Sequence, residues 1–257
     1  MQTIAISNMK GGVGKTALTH SLGYALASDH GQRVLLVDAD PQASLTGACG
    51  VIDVDYSLAD VLGGTEKGKR KLKEIILQVD TNLDLAPADI ALAPSELGLV
   101  TRLKRETILQ KALSKVSKSY DVCLIDCPPS LSLLTVNAIA AADGIIIPLQ
   151  PQPQDLRGLM LFMQTLEAIQ DDLNPDLEMI GIVATFYDGR LNTHQAALEA
   201  MQEADWPVID VQIGRSVRVA EAAANGETVL TFEPNNKRAA EYRQLSEVIY
   251  QWLNKNK

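Results

Sequence analysis

The stretch KGGVGKT at Lys10–Thr16 decides the fold of this chain. It follows a short apolar run, Thr3–Ser7, that is typical of a β-strand, and it precedes a helical pattern over Ala17–Ala27. Glycines let the backbone turn tightly and point its N–H groups inward, and the N-terminus of the following helix adds the positive end of its dipole. The sequence therefore predicts a phosphate-binding loop between the first strand and the first helix.

The side chains of this loop suit a Mg²⁺-bound nucleoside triphosphate. Lys15 would bring a point charge to the β- and γ-phosphates, and the hydroxyl of Thr16 would ligate the metal. The general pattern G-x-x-x-x-G-K-[ST] is not met, because Met9 stands where its first glycine belongs, and the match is to the variant K-G-G-x-G-K-T that begins at Lys10. The predicted nucleotide contacts are Gly11, Gly12, Val13, Gly14, Lys15, Thr16 and Ala17.

Two further predicted strands end in carboxylates. Arg33–Asp38 ends in Asp38 and is followed by Asp40, and Asp121–Asp126 ends in Asp126. Asp38 and Asp40 are separated by one residue at this strand end, and we expect only one of the two carboxylates to point into the site. A carboxylate at a neighbouring strand end is the usual partner of Mg²⁺ in P-loop enzymes. The predicted metal site consists of Thr16, Asp38 and Asp126.

Short β-branched runs alternate with longer amphipathic runs along the chain. The predicted strands are Thr3–Ser7, Arg33–Asp38, Asn82–Ala86, Asp121–Asp126, Gly144–Leu149, Met179–Phe186 and, as a weaker candidate, Val208–Val211. This alternation predicts a single-domain α/β P-loop NTPase fold over residues 1–257, with a mostly parallel twisted sheet and helices on both faces. The stretch Gly63–Lys71 is predicted to be an exposed loop, followed by an amphipathic helix through about Val79.

Composition bears on the partners and the location. The chain has 257 residues, a formal net charge of -9 and a sequence pI near 4.9. Such a charge repels nucleic acid and anionic lipid on average, so a polyanion would need a local basic patch. Cys49, Cys123 and Cys127 are odd in number and lack CxxC spacing, and neither a targeting segment nor an apolar run of ~20 residues is found. We therefore expect a cytoplasmic protein.

Seven ordered motifs run nearly from end to end of the chain: Lys10–Thr16, Val37–Gln42, Ile125–Ser130, Pro148–Gln150, Tyr187–Arg190, Val217–Ala222 and Phe232–Lys237. They resemble the ParA/Soj group of partition ATPases, relatives of MinD and of the carboxysome-positioning ATPase McdA. The resemblance implies slow, Mg²⁺-dependent hydrolysis of ATP that is stimulated by an adaptor of the ParB or McdB type. The cargo it implies is a plasmid, a chromosome region or a protein organelle such as a carboxysome, and these motifs do not distinguish the three.

The resemblance also implies a homodimer. In that family ATP is sandwiched between two subunits, and the lysine at the position of Lys10 reaches across to the nucleotide of the partner. A second cation there stabilises the charge that develops on the γ-phosphate oxygens. Asp40 matches the residue that orients the attacking water. The catalytic residues implied are thus Lys10, Lys15 and Asp40.

Two smaller expectations concern nucleotide affinity. The resemblance places Pro234 and Asn235 among the nucleotide contacts. Ala17 departs from the family pattern, which has a second threonine after the P-loop lysine with a hydroxyl that can reach the α-phosphate. We expect somewhat weaker nucleotide binding from this change.

Non-specific DNA binding by the dimer, and thus association with the nucleoid, is implied as well. By resemblance Arg190 and Arg218 occupy the positions of the DNA-binding arginines, and Arg215, Lys237 and Arg238 lie near them in sequence. Arginine suits phosphate through its bidentate fork, and contacts to the DNA backbone are independent of base sequence. A second basic region either extends this patch or balances acidic neighbours, and it comprises Lys67–Lys73, Arg102–Arg105, Lys111, Lys115 and Lys118.

Three other functions remain open. A membrane ATPase like MinD would carry a basic amphipathic helix beyond the folded domain, whereas the apolar stripe in Arg238–Leu253 is typical of a docked terminal helix. We therefore expect no stable membrane association. A metabolic P-loop enzyme of the dethiobiotin-synthetase type would phosphorylate a small carboxylate rather than water. An iron–sulfur reductase is disfavoured because Cys123 lies within a predicted buried strand.

Overall fold

The computed structural model describes residues 1–63, 65 and 69–255. These residues form eight strands: β1 (Gln2–Ile6), β2 (Val34–Asp38), β3 (Leu77–Asp80), β4 (Leu83–Ala86), β5 (Val122–Asp126), β6 (Gly144–Leu149), β7 (Glu178–Tyr187) and β8 (Ile213–Gly214). The strands make one sheet in the order β3-β4-β2-β5-β1-β6-β7-β8, which is parallel except for the β3–β4 pair. The predicted α/β fold with a mostly parallel sheet is confirmed.

Helices follow most strands and cover the sheet. They are α1 (Lys15–Ser28), α2 (Ser44–Ala48), α3 (Leu58–Leu62), α4 (Leu92–Leu99), α5 (Ile108–Leu113), α6 (Leu133–Ala140), α7 (Pro153–Leu173), α8 (Asn192–Glu203), α9 (Val217–Ala224), α10 (Val229–Phe232) and α11 (Lys237–Lys255). Parallel strands need such crossovers because the end of one strand and the start of the next lie at opposite edges of the sheet.

Side chains of the sheet alternate between two apolar layers. In β1, Ala5 belongs to the layer that packs against α3–α7, whereas Ile4 and Ile6 belong to the layer that packs against α1, α10 and α11. Every position of β2 and of β5 is buried. Continuous burial of this kind is typical of parallel strands with helices on both faces.

The C-terminal helix α11 packs on the second of these layers. Tyr242, Leu245, Ile249 and Leu253 are buried there, next to α1. This agrees with the interpretation of the apolar stripe as a docked terminal helix. Within the described ranges, no helix is long and apolar enough to cross a membrane.

The amphipathic helix expected through Val79 is wrong. Leu72–Glu74 forms one 3-10 turn, and Leu77–Asp80 is strand β3, which pairs antiparallel with β4. Between the two strands Asn82 has a φ of 58°, a left-handed conformation that asparagine adopts more readily than most residues. Most of β3 is exposed, so its sequence carries little hydrophobic pattern from which a strand could be predicted.

The weak strand candidate Val208–Val211 is also wrong in its position. Val208 makes an isolated bridge to Ile182, and the edge strand is β8, two residues further along the chain. In the predicted exposed loop Gly63–Lys71, Gly64 and residues 66–68 lie outside the described residues, and so does Lys67 of the second basic region. The other strands lie within one residue of their predicted bounds.

Candidate nucleotide-binding site

Two glycines in the left-handed conformation shape the loop between β1 and α1. Gly12 has a φ of 72°, and Gly14, the N-cap of α1, has a φ of 86°. Any other residue type would be strained at these positions. The carbonyl of buried Val13 accepts a hydrogen bond from Thr185 Oγ1 at 2.8 Å, which ties the loop to β7. This conformation supports the predicted phosphate cradle at the carboxyl ends of the strands.

Lys15 lies inside the loop. Its Nζ donates hydrogen bonds to the carbonyl oxygens of Asn8 and Lys10, both at 3.0 Å, and only 7% of the residue is exposed. Burial lowers the pKa of its ammonium group, and the charge of Asp126 opposes this effect. The cation is therefore held within the loop by neutral carbonyl groups.

The three predicted metal ligands converge beside this loop. Asp38 and Asp126 are register partners on β2 and β5, and Thr16 Oγ1 donates a hydrogen bond to Asp126 Oδ2 at 2.7 Å. Burial raises the pKa of Asp38 to about 6, and burial together with the charge of Asp38 raises the pKa of Asp126 well above its usual range. Mg²⁺ prefers oxygen ligands, and a cation here would offset the repulsion between the two carboxylates. The residues present fit a magnesium ion.

The structure separates the roles of Asp38 and Asp40. Asp38 is fully buried, and its carboxylate accepts hydrogen bonds from Thr46 N at 2.8 Å, from Thr46 Oγ1 at 2.7 Å and from Asp40 N at 3.1 Å. Asp40 is half-buried and lines the cavity, where its Oδ1 accepts a hydrogen bond from Gln42 N at 2.9 Å. Of the two residues, Asp40 is thus the one that lines the cavity.

Lys10 turns toward the beginning of α7. Its Nζ forms an ion pair with Asp155 Oδ2 at 2.7 Å, and the lysine side chain is 42% exposed while the aspartate side chain is 5% exposed. Lys10 is not among the residues that line the cavity. Sequence reasoning missed this role of Asp155, because the two residues are 145 positions apart and no local pattern joins them.

A cavity of about 480 Å³ begins at the loop and continues between α1 and the α9–α10 region. Its loop end contains Gly11, Gly12, Gly14, Lys15, Thr16 and Ala17, and its far end contains residues of β8, α9 and α10. Pro234 and Asn235 do not line it. Both are exposed at the turn before α11, where the Pro234 carbonyl accepts a hydrogen bond from Arg243 Nη1. The structure therefore does not support the predicted nucleotide contacts of these two residues.

Comparison with known proteins agrees with this geometry. A family model described as an AAA domain matches residues 1–179. Soj of Bacillus subtilis, a sporulation initiation inhibitor protein, is 38% identical over 249 residues, which cover 96% of this chain and 97% of Soj. The chromosome partitioning protein ParA of Caulobacter vibrioides is 38% identical over 255 residues, which cover 97% of this chain and 94% of ParA. The chain belongs to the ParA/Soj family of partition ATPases.

A solved structure extends the comparison to bound nucleotide. It is described as cobyrinic acid a,c-diamide synthase from Mycobacterium smegmatis with bound ATP analog and magnesium. Its TM-score against this chain is 0.86 at 33% identity, and the match covers 100% of this chain and 97% of that chain. The fold of this ParA/Soj family member is thus one that holds a Mg²⁺–nucleotide complex in a homologous protein.

Four of the five predicted DNA-binding residues line one groove of about 910 Å³ in this family member. They are Arg190, Arg215, Lys237 and Arg238. Arg218 is not among the lining residues, although its neighbour Val217 is. The structure therefore brings together residues from β7–α8, β8–α9 and the start of α11, which are distant in sequence.

Several of these cations are paired with carboxylates. Arg190 binds Asp188 at 2.7 Å, which lowers the pKa of that carboxyl group, and Arg218 binds Glu221 at 2.7 Å and Glu233 at 3.5 Å. All of these side chains are partly or largely exposed, so water competes with each pair. The free energy needed to replace such a carboxylate partner by a phosphate group is therefore small.

Arg238 differs from the other groove cations. It pairs with Glu241 at 2.8 Å, both side chains are only 13% exposed, and Glu241 Oε2 also accepts the Gly214 N–H at 2.9 Å. A Cβ atom at position 214 would overlap the Arg238 guanidinium, so the arginine packs directly on the glycine. We interpret Arg238 as a residue that fixes β8 against α11, and its role as a DNA contact stays a prediction.

Proposed function

We propose that this protein is a Mg²⁺-dependent ATPase that dimerises with ATP, binds DNA without sequence specificity as the dimer, and positions or segregates a cargo with an adaptor that stimulates hydrolysis. The observation that carries the proposal is a wall shared by the nucleotide cavity and the basic groove. Phe186, Gly214, Ser216 and Ala220 line both. A nucleotide in the cavity would contact the segment that carries Arg215, which supports ATP-dependent DNA binding on the nucleoid.

The residues of the loop would bind and orient the triphosphate. Lys15 would contact the β- and γ-phosphates, and Thr16 and Asp126 would hold Mg²⁺, which neutralises charge on those phosphates when bound. Asp40 would orient the attacking water from the cavity wall. Asp38 would act through Asp40, because its carboxylate accepts the Asp40 backbone N–H and so fixes the position of that residue.

Lys10 would act in the dimer. Its side chain is 42% exposed and reaches away from its own cavity toward Asp155. A lysine in this position can leave its aspartate for a stronger anion, such as the γ-phosphate in a partner subunit. Dimerisation would thus exchange an internal ion pair for a contact with the second nucleotide.

Two groove residues carry unpaired charge. Within residues 1–63, 65 and 69–255, neither Arg215 nor Lys237 forms an ion pair, and both are exposed. Cations of this kind bind phosphate without first giving up a protein partner. We therefore expect these two residues to contribute more to DNA affinity than the paired arginines.

Titration of a non-specific DNA duplex with Arg215→Glu/Lys237→Glu in MgATP tests the assignment of the groove. We expect affinity to fall at least about tenfold and the salt slope to weaken by about 0.9 for each phosphate that the variant no longer neutralises. Lys115→Glu/Lys118→Glu is the matched control, because it makes the same charge change in the second basic region. A larger drop in affinity in the control would assign DNA binding to that region instead.

A metabolic P-loop enzyme is the second candidate, favoured by the synthase activity of the M. smegmatis protein. Such an enzyme would transfer phosphate to a carboxylate substrate rather than to water. Measurement of phosphate release from ATP by the purified protein alone, with and without DNA, separates the two candidates. Release that needs a small carboxylic acid would favour the metabolic enzyme.

A further inference from the structure

ATP and ADP differ only at the γ-phosphate, so DNA binding that follows the nucleotide state needs a connection from that end of the nucleotide to the basic groove. Most of the wall that the cavity shares with the groove belongs to residues 213–220, at the end of the cavity away from the loop. The adenosine part, which both nucleotides share, would contact that wall. With the roles proposed for them, Lys15 and Asp40 would lie at the γ-phosphate instead.

Helix α2 is bound to the strand end that carries Asp38 and Asp40. The Asp40 carbonyl accepts the Ala43 N–H at 2.9 Å, and the Asp38 carboxylate accepts both the N–H and the hydroxyl of Thr46, at 2.8 and 2.7 Å. Ala43, the N-cap of α2, has a φ of 52°, a left-handed conformation that is unfavourable for a residue with a Cβ atom. A strained helix start therefore lies directly behind the two carboxylates.

The other end of α2 touches α9 backbone to backbone. Gly50 lies two residues beyond α2, Gly226 lies two residues beyond α9, and their φ angles are 77° and 73°. A Cβ atom at position 226 would lie 2.6 Å from the Cα atom of Gly50 and 3.1 Å from its nitrogen. The ends of the two helices thus approach each other as closely as glycine allows.

Helix α9 is held by few buried contacts. Of its described residues, Ala222 alone is buried. Its first residue, Val217, lines the basic groove, and Arg218 follows. Elements with few buried apolar contacts move most easily, so a displacement of α2 against Gly226 would move α9 at the groove.

We propose that α2 couples the γ-phosphate end of the nucleotide site to the DNA groove through the contact between Gly50 and Gly226. The inference rests on the proposed ATP-dependent DNA binding and adds a route within one subunit. Strain such as that at Ala43 is found in segments that switch between two arrangements. The alternative is that dimer formation alone controls DNA binding, in which case the glycine contact has no influence on it.

The test compares the affinity for a non-specific duplex in MgATP and in MgADP, for Gly226→Ala, Gly50→Ala and Gly31→Ala in the Asp40→Ala background. Gly31 has a φ of 62° and an added Cβ atom would meet nothing within 4 Å, whereas a Cβ atom at Gly50 would lie 3.5 Å from the Gly226 Cα, an ordinary contact. Both controls therefore carry the backbone strain without the overlap. We expect them to keep a preference for ATP of at least about tenfold, and Gly226→Ala to retain less than about threefold.

Two further measurements separate this route from dimer formation. Sedimentation in MgATP should show the same dimer for Gly226→Ala as for its parent. Because coupling is reciprocal, DNA should raise the affinity for ATP over ADP by the same factor as ATP raises the affinity for DNA, and both factors should fall together in Gly226→Ala. A preference for ATP that survives in this variant, or that is lost together with the dimer, overturns the proposal.

A second pair of variants applies if alanine at position 226 prevents folding. Thr46→Val removes the hydroxyl that binds Asp38 at the start of α2, and Thr46→Ser keeps it. We expect the preference for ATP to fall in the valine variant only, and equal preferences in the two variants overturn the proposal. If the parent itself shows no preference for ATP, the proposed function fails; if the parent does and both Gly226→Ala and Thr46→Val keep it, only the role of α2 fails.

Discussion

Asp38 and Asp126 are two buried carboxylates at adjacent strand ends, and their ionisation opposes folding. Asp38 is fully buried, and Asp126 is 1% exposed. Three donated hydrogen bonds compensate the charge of Asp38 only in part, because its pKa is still raised to about 6. When no cation is bound, the form of the site in which both carboxylates are ionised is therefore electrostatically unfavourable.

The raised pKa of Asp38 predicts a pH dependence of stability. The unfolded pKa of aspartate is about 3.9, so the folded protein binds this proton more tightly, and the stability that Asp38 contributes is greatest below pH 4 and is lost as pH rises through 6. The full effect is about 3 kcal/mol. We expect Asp38→Asn to gain stability relative to the wild type over this range in chemical denaturation at several pH values. A difference between the two proteins that does not change from pH 4 to 7 would contradict the assignment.

We predict that substitution of Ala17 by threonine raises the affinity for nucleotide. It lines the cavity directly after the two loop residues that would bind phosphate and metal. We expect Ala17→Thr to bind ATP about threefold to fivefold more tightly, because a hydroxyl at this position can reach the α-phosphate and one hydrogen bond contributes about 1 kcal/mol. Ala17→Val is the control of matched shape. Equal ATP affinity of the threonine and valine variants in calorimetry would show that the hydroxyl does not reach the nucleotide.

At the scale of elements, α7 restrains Lys10 through Asp155 in its first turn. The ion pair at 2.7 Å has one nearly buried and one half-exposed partner, so it contributes on the order of 1 kcal/mol. This contribution opposes the release of Lys10 that we propose for the dimer. We therefore expect the beginning of α7 to affect how readily two subunits associate.

Substitution of Asp155 should shift the monomer–dimer equilibrium. We expect Asp155→Asn to lower the dimer dissociation constant in MgATP about fivefold, because Lys10 no longer leaves a charged partner. The measurement is sedimentation at several protein concentrations. Asp171→Asn removes an exposed carboxylate from the same helix and should have no effect. Weaker association of Asp155→Asn would mean that the aspartate supports the dimer rather than opposing it.

Elements with continuous apolar sequence could be predicted, and those without could not. Strands such as Gly144–Leu149 are buried at every position, and their β-branched runs mark their bounds in the sequence. Strand β3 could not be predicted because it is largely exposed and depends on its pairing with β4. The Lys10–Asp155 pair escapes prediction for a related reason, since it is a tertiary contact between a loop and a distant helix with no periodic signal.

At the scale of the whole molecule, the nucleotide cavity and the basic groove are two sides of one segment. Residues 213–220 connect β8 to α9, and members of this segment line both spaces. Sequence motifs predicted the phosphate loop and most of the groove residues, because each lies in a local pattern. They could not predict that Arg238 pairs with Glu241 or that Pro234 and Asn235 lie outside the cavity.

Non-specific DNA binding in the two nucleotide states tests the central claim most directly. Fluorescence anisotropy of a labelled duplex is measured with the wild type and Asp40→Ala, each in MgATP and in MgADP. We predict that both proteins bind DNA at least about tenfold more tightly with ATP than with ADP, and that Asp40→Ala, which we expect to bind ATP without hydrolysing it, holds the DNA throughout while the wild type releases it as ATP is consumed. Equal affinity in ATP and ADP, or normal hydrolysis by Asp40→Ala, would contradict the account.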